Sequence, residues 1–103
     1  MPRLTLRALL LGLACPIAAA CARPLDEREC ERLLDHYTEL LVKEEDPTAT
    51  PEHVAQALED ARRLAATDPR FEMSACPRKI GRKSFECAMA APSVDAVERC
   101  LIF

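Results

Sequence analysis

Six cysteines, at positions 15, 21, 30, 76, 87 and 100, are the residues of this 103-residue chain best suited to chemistry. Thiolates can hold zinc, exchange electrons as a dithiol, carry a covalent group or close disulfides. Zinc and dithiol redox sites want two thiols on one short turn, as in Cys-x-x-Cys. The last four cysteines are instead separated by 45, 10 and 12 residues, so no metal and no cofactor is expected. His36 is the other candidate: it follows Asp35 and lies one helical turn from Arg32 and Glu39, a grouping able to set up a general base. The same flanking charges describe a solvated helix face, which is the expectation for His36 and equally for His53. Tyr37 falls in an apolar stripe and reads as core. There is no serine in a nucleophile-elbow setting and no glycine-rich phosphate loop, so no catalytic residue is assigned and the chain is not expected to be an enzyme.

The first two cysteines belong to a different context. Residues 1–7 are short and basic, with Arg3 and Arg7; an apolar run follows from Ala8 to Ala14, then Pro16 and a tail of alanines. Basic, apolar and small in that order is the layout of an export signal, and the apolar run is far short of the ~18–20 residues that span a bilayer. Ala18, Ala19 and Ala20 stand immediately before Cys21. This resembles the lipobox of bacterial lipoproteins, in which small residues precede a cysteine that is lipidated and becomes the new N-terminus. Ala18 departs from the leucine most often found at its position, and cleavage after Ala20 or Ala22 by an ordinary signal peptidase is the competing route. The resemblance implies a signal peptide over residues 1–20, a lipid on Cys21 and a tether over residues 21–25. Ala22, in place of the aspartate that retains lipoproteins on the inner membrane, implies the outer membrane. Several acyl chains on one cysteine hold a protein firmly where a single chain would not.

Removal of residues 1–20 leaves 83, enough for one small domain over residues 26–103. A domain of this size buries only ~60–65% of its unfolded surface and benefits from staples. Cys30, Cys76, Cys87 and Cys100 remain, and four cysteines in a small exported domain read as two disulfides. The mature chain has 12 basic and 17 acidic residues, unevenly placed: residues 24–68 hold 13 acids and 5 bases, residues 69–103 hold 4 acids and 6 bases. With this acidic balance, one tyrosine, three phenylalanines and no tryptophan, no nucleic-acid partner is expected.

Helices must position these residues. Asp26 and Glu29 make a capping box, and Cys30, Leu33, Leu34, Tyr37, Leu40 and Leu41 then fall at spacings of three and four, predicting a helix that ends near Glu45. Thr50-Pro51 caps a second helix to about Thr67, with Val54, Leu58, Ala61, Leu64 and Ala65 as its inner face. Asp68-Pro69 starts a short third helix holding Phe71, Met73 and Cys76, and residues 77–81 read as a basic turn. A fourth helix covers Arg82 to Ala91 with Phe85, Ala88 and Met89 inside; Pro92 stops it, and Ser93 caps a last helix with Val94, Val97, Cys100 and Leu101 inside. No strand pattern survives. The expected fold is all-α: a small disulfide-stapled bundle of about five short helices, the two longer N-terminal ones forming an antiparallel hairpin. All four cysteines fall on inner stripes. Three pairings are open; the Pro92-Ser93 turn favours Cys87 with Cys100, which would leave Cys30 with Cys76.

Two charge features are left over. Glu44, Glu45 and Asp46 end the first helix, where the helix dipole disfavours acids, and read as a solvated end. Arg78, Lys79, Arg82 and Lys83 form a cluster able to meet anionic headgroups or an acidic partner. With "AAAC", "ECERLLDHYTELL" and "FECAMAAPSVDAVERC" in place, the chain resembles the small four-cysteine all-helical lipoproteins of Gram-negative bacteria, a group whose motifs are structural and imply no catalytic residue. The expectation is an envelope lipoprotein, membrane-bound through its N-terminal lipid, whose domain is a structural or interaction module for a protein partner the sequence does not name. The alternative is a freely secreted binding protein of inhibitor or immunity type.

Overall fold

The computed structural model describes residues 23–68 and 75–101. The expected lipid site, Cys21, and the expected third-helix residues Phe71 and Met73 lie outside them.

Helix α1, Glu27–Glu45, begins as its sequence demands. The Asp26 carboxylate accepts from the Glu29 amide at 2.8 Å while Glu29 Oε1 accepts from the Asp26 amide at 3.1 Å. Two amides that the first turn leaves unpaired are thereby satisfied. Leu25, the last residue of the expected tether, is buried at the position before the cap, where a hydrophobic staple closes such an entry. Helix α2, Pro51–Thr67, starts at Thr50, whose hydroxyl accepts from the His53 amide, with proline at the first helical position. Between them Asp46 folds its carboxylate onto the amide and hydroxyl of Thr48, closing the connection.

Helix α3, Cys76–Lys79, is a single turn, and it corrects the basic turn expected over residues 77–81. Pro77 sits in its first turn, where a missing amide costs nothing, so the proline starts a helix here instead of preventing one. Helices α4, Arg82–Ala90, and α5, Val94–Cys100, follow, α4 ending one residue before the expected Ala91, with the Ser93 hydroxyl accepting from the Ala96 amide at the start of α5.

The fold is all-helical, with α1 at its centre packed against each of the other four helices and α4 packed against α5. The core is Leu25, Cys30, Leu33, Cys76, Phe85, Ala88, Ala91 and Val97, ringed by half-buried Tyr37, Leu40, Ile80 and Met89. Many of these side chains are small, so their burial contributes little per residue and covalent staples matter more. The bridges are Cys30–Cys76, tying α1 to α3, and Cys87–Cys100, tying α4 to α5, with Cα separations of 6.2 and 5.7 Å. The turn between α4 and α5 brings its two cysteines together as its length suggests.

Two expectations about faces need correction. Helix α2 buries no residue fully, and Leu64, assigned to its inner face, is 47% exposed, because among the described residues α2 packs chiefly against α1. Cys87 is exposed rather than on an inner stripe, since Phe85 and Ala88 take the buried side of α4. Thr38 is buried as well; its hydroxyl donates to the Leu34 carbonyl at 2.8 Å, so it is buried with its polarity satisfied.

Candidate functional site

The four bases singled out by the sequence sit where α3 passes into α4, but they do different jobs. Arg82, the first residue of α4, points back to the start of α1. Its Nη1 and Nη2 donate to Glu29 Oε2 and Oε1 at 2.8 and 3.0 Å, a two-pronged pair in which both side chains are largely buried. Its remaining donors reach main chain: Nε to the Arg23 carbonyl at 3.3 Å and Nη2 to the Pro24 carbonyl at 3.4 Å. The hydrogen bond from Arg82, followed by that from the Asp26 amide, holds the Glu29 carboxyl at a pKa of about 2. Glu29 thus serves the cap of α1 and the clamp on α4 together. Arg82 is therefore a clamp on the incoming chain, and the expectation that it contacts an external anion is withdrawn. Arg78, Lys79 and Lys83 are exposed around it, and Arg23 is exposed at the point where the chain enters.

Disulfide Cys30–Cys76 lies immediately inside this end and joins the first turn of α1 to the start of α3. The basic residues are thus fixed to the chain entry by one covalent link and one bidentate ion pair. A groove of about 410 Å³ opens beside the bridge between α1 and α2, with Leu34, Ala65 and Pro77 among its walls and Glu31 and Arg62 also lining it. Arg62 is engaged with Asp35 through Nε at 3.0 Å and through Nη2, which binds α2 to α1.

The residues weighed for catalysis are used structurally. His36 is half-buried rather than on a solvated face, because the turn from α4 to α5 folds over it. Its Nε2 donates to the Ala91 carbonyl at 3.0 Å, which assigns the proton to that nitrogen, and its neighbour Asp35 is bound to Arg62. Tyr37 packs against the core and donates its hydroxyl to Glu98 at 2.8 Å, a bond that raises the phenol pKa. His53 is exposed, 4.0 Å from Asp46, whose carboxyl is lowered chiefly by its bonds to Thr48. Among the described residues no group of three or more histidines, cysteines and carboxylates is arranged to hold a metal ion.

Comparison with known proteins adds nothing to these residues: no family model, curated protein or solved structure matches the chain.

Glu44 shows a connection the sequence hides. Its Oε1 accepts from the Val94 amide at 3.1 Å, so the acid that ends α1 neutralises the start of α5. The conflict with one helix dipole is offset by agreement with another. The sequence signal, an acid at the end of a long helix, does not reveal which helix start will reach it.

Proposed function

We propose that the protein is a lipid-anchored component of the bacterial outer membrane whose helical domain acts as an interaction or structural module and not as an enzyme. The observation that best supports this reading is the pairing of the lipobox-like "AAAC" with four downstream cysteines that close two disulfides, the bonding state of an oxidising compartment. The N-terminal side of the domain supports the reading: Leu25 is buried, Asp26 caps α1 and Arg82 donates to the carbonyls of Arg23 and Pro24, so the chain is held to the domain almost up to the expected lipid site. A module of this kind works by presenting surface, and His36, Tyr37 and the carboxylates of Glu29 and Asp35 are bound within the fold.

Fractionation tests the proposal. The protein should remain with membranes through a wash in high salt, and Cys21→Ser should release it or stop its maturation. Continued attachment of Cys21→Ser would refute lipidation at that residue. Appearance of the native protein in the medium would replace this reading with that of a secreted binding protein.

A further inference from the structure

We propose that the end of the domain carrying Arg23, Arg78, Lys79 and Lys83 lies against anionic lipid headgroups and sets the orientation of the anchored protein. The inference rests on the lipid-anchor reading and adds to it a surface and a direction.

Charge along the sequence looks merely uneven, but the fold sorts it in space. Helix α1 spans ~28 Å at 1.5 Å per residue and serves as the axis. The start of α1 is near the start of α4 through Glu29 and Arg82, and the middle of α1 meets the latter half of α2 through Asp35 and Arg62, so the antiparallel α2 runs towards the start of α1. The far end of α1 meets the start of α5 through Glu44 and Val94. Residues 23–35, 60–68 and 75–86 therefore make up one half, with nine bases and eight acids. Residues 39–59 and 92–100 make up the other, with two bases and eight acids. One half is close to neutral with an excess of base, and the opposite half is strongly acidic.

The chain enters at the near-neutral half, where the exposed bases Arg23, Arg78, Lys79 and Lys83 stand with the exposed acids Asp26, Glu27 and Glu31. Arg23 is two residues from Cys21, a reach of at most ~7 Å, which is within the Debye length of ~8–10 Å at physiological salt. A lipid on Cys21 thus delivers Arg23 to the headgroup layer, and the Arg82 clamp together with the Cys30–Cys76 bridge brings α3 and the start of α4 to the same end. Bases close to an anionic leaflet strengthen attachment about fivefold each, and the acidic half is repelled from the same surface. Both effects turn the molecule the same way, with Glu44, Glu45, Asp46 and Asp95 directed away from the membrane.

The three lysines of the chain supply the test, since Lys79 and Lys83 mark the basic end and Lys43 marks the acidic half. Native protein is reconstituted into vesicles of phosphatidylcholine alone or with 30% phosphatidylglycerol, treated briefly with an amine-acylating reagent, and digested for mass spectrometry. Labelling of Lys79 and Lys83 relative to Lys43 should fall at least threefold when phosphatidylglycerol is present. It should recover in 0.5 M salt, and Arg78→Glu should weaken the protection. Equal ratios in the two vesicles, or protection of Lys43 instead, would overturn the proposal while leaving the anchor intact. The intact mass of the same sample reports the anchor separately: an unacylated chain overturns the anchor reading, and with it this orientation.

Discussion

Removing the two disulfides one at a time should have unequal consequences. Cys30 and Cys76 are 46 residues apart in sequence and both buried, whereas Cys87 and Cys100 are 13 apart and Cys87 is exposed. Loop-closure entropy alone assigns about 4 kcal/mol to the longer loop and about 3 kcal/mol to the shorter one. Burial widens the difference, because the Cys30–Cys76 sulfurs are part of the small core and their loss also leaves a void. A domain over residues 26–103 has a total stability of only ~4–12 kcal/mol, so losing the longer bridge removes a large share of it. Urea unfolding followed by helical circular dichroism should place Cys30→Ala/Cys76→Ala at or near the unfolded state at 37 °C. Cys87→Ala/Cys100→Ala should stay folded with a lowered midpoint. Graded reduction of the native protein should open Cys87–Cys100 first, since reductant reaches an exposed sulfur sooner. A larger loss on removing Cys87–Cys100, or a loss below ~1 kcal/mol for both, would refute the reasoning.

Packing, capping and pH each supply a further test. Phe85→Ala should cost ~3–5 kcal/mol because the ring is buried, while Leu64→Ser should change stability by less than ~0.5 kcal/mol, both read from urea midpoints. Gly81 begins α4 in an extended conformation without a side-chain cap, and a Cβ there would meet nothing within 4 Å. Gly81→Ser should therefore stabilise by ~0.5–1 kcal/mol, through the cap and a less flexible unfolded chain, raising the melting temperature. Glu29 has a folded pKa of about 2 against an ordinary 4.5, so its ionised form favours the folded state. Its contribution is complete above about pH 4.5 and disappears as pH falls towards 2. Melting temperature should drop across that window, and Glu29→Gln should start lower at neutral pH and fall less steeply; parallel curves would count against the clamp.

The helices were legible because their ends carry local chemistry. Asp26 with Glu29, Thr50 with Pro51, and Ser93 after Pro92 each mark a start that depends on neighbours within three residues. The pairing of Cys87 with Cys100 was legible for a similar reason, since one short turn decides it. What depends on distant packing was not. Leu64 follows the helical period but is exposed, because no pattern within α2 tells that, among the described residues, α1 is its main packing partner. Thr38 and Leu25 are buried by helices that arrive from elsewhere in the chain. The basic cluster was visible as composition, yet only the fold separates Arg82, which clamps the chain entry, from the exposed bases around it. His36 shows the same limit: its carbonyl partner, Ala91, is 55 residues away.

The central claim is a domain anchored at Cys21 and closed by two disulfides, and the intact mass of the native protein tests it most directly. The protein would be extracted from membranes and weighed with and without reduction and alkylation. The account predicts a chain that begins at Cys21, carries acyl chains, and takes up four alkyl groups only after reduction. An unmodified N-terminus, or thiols that alkylate without reduction, would contradict it.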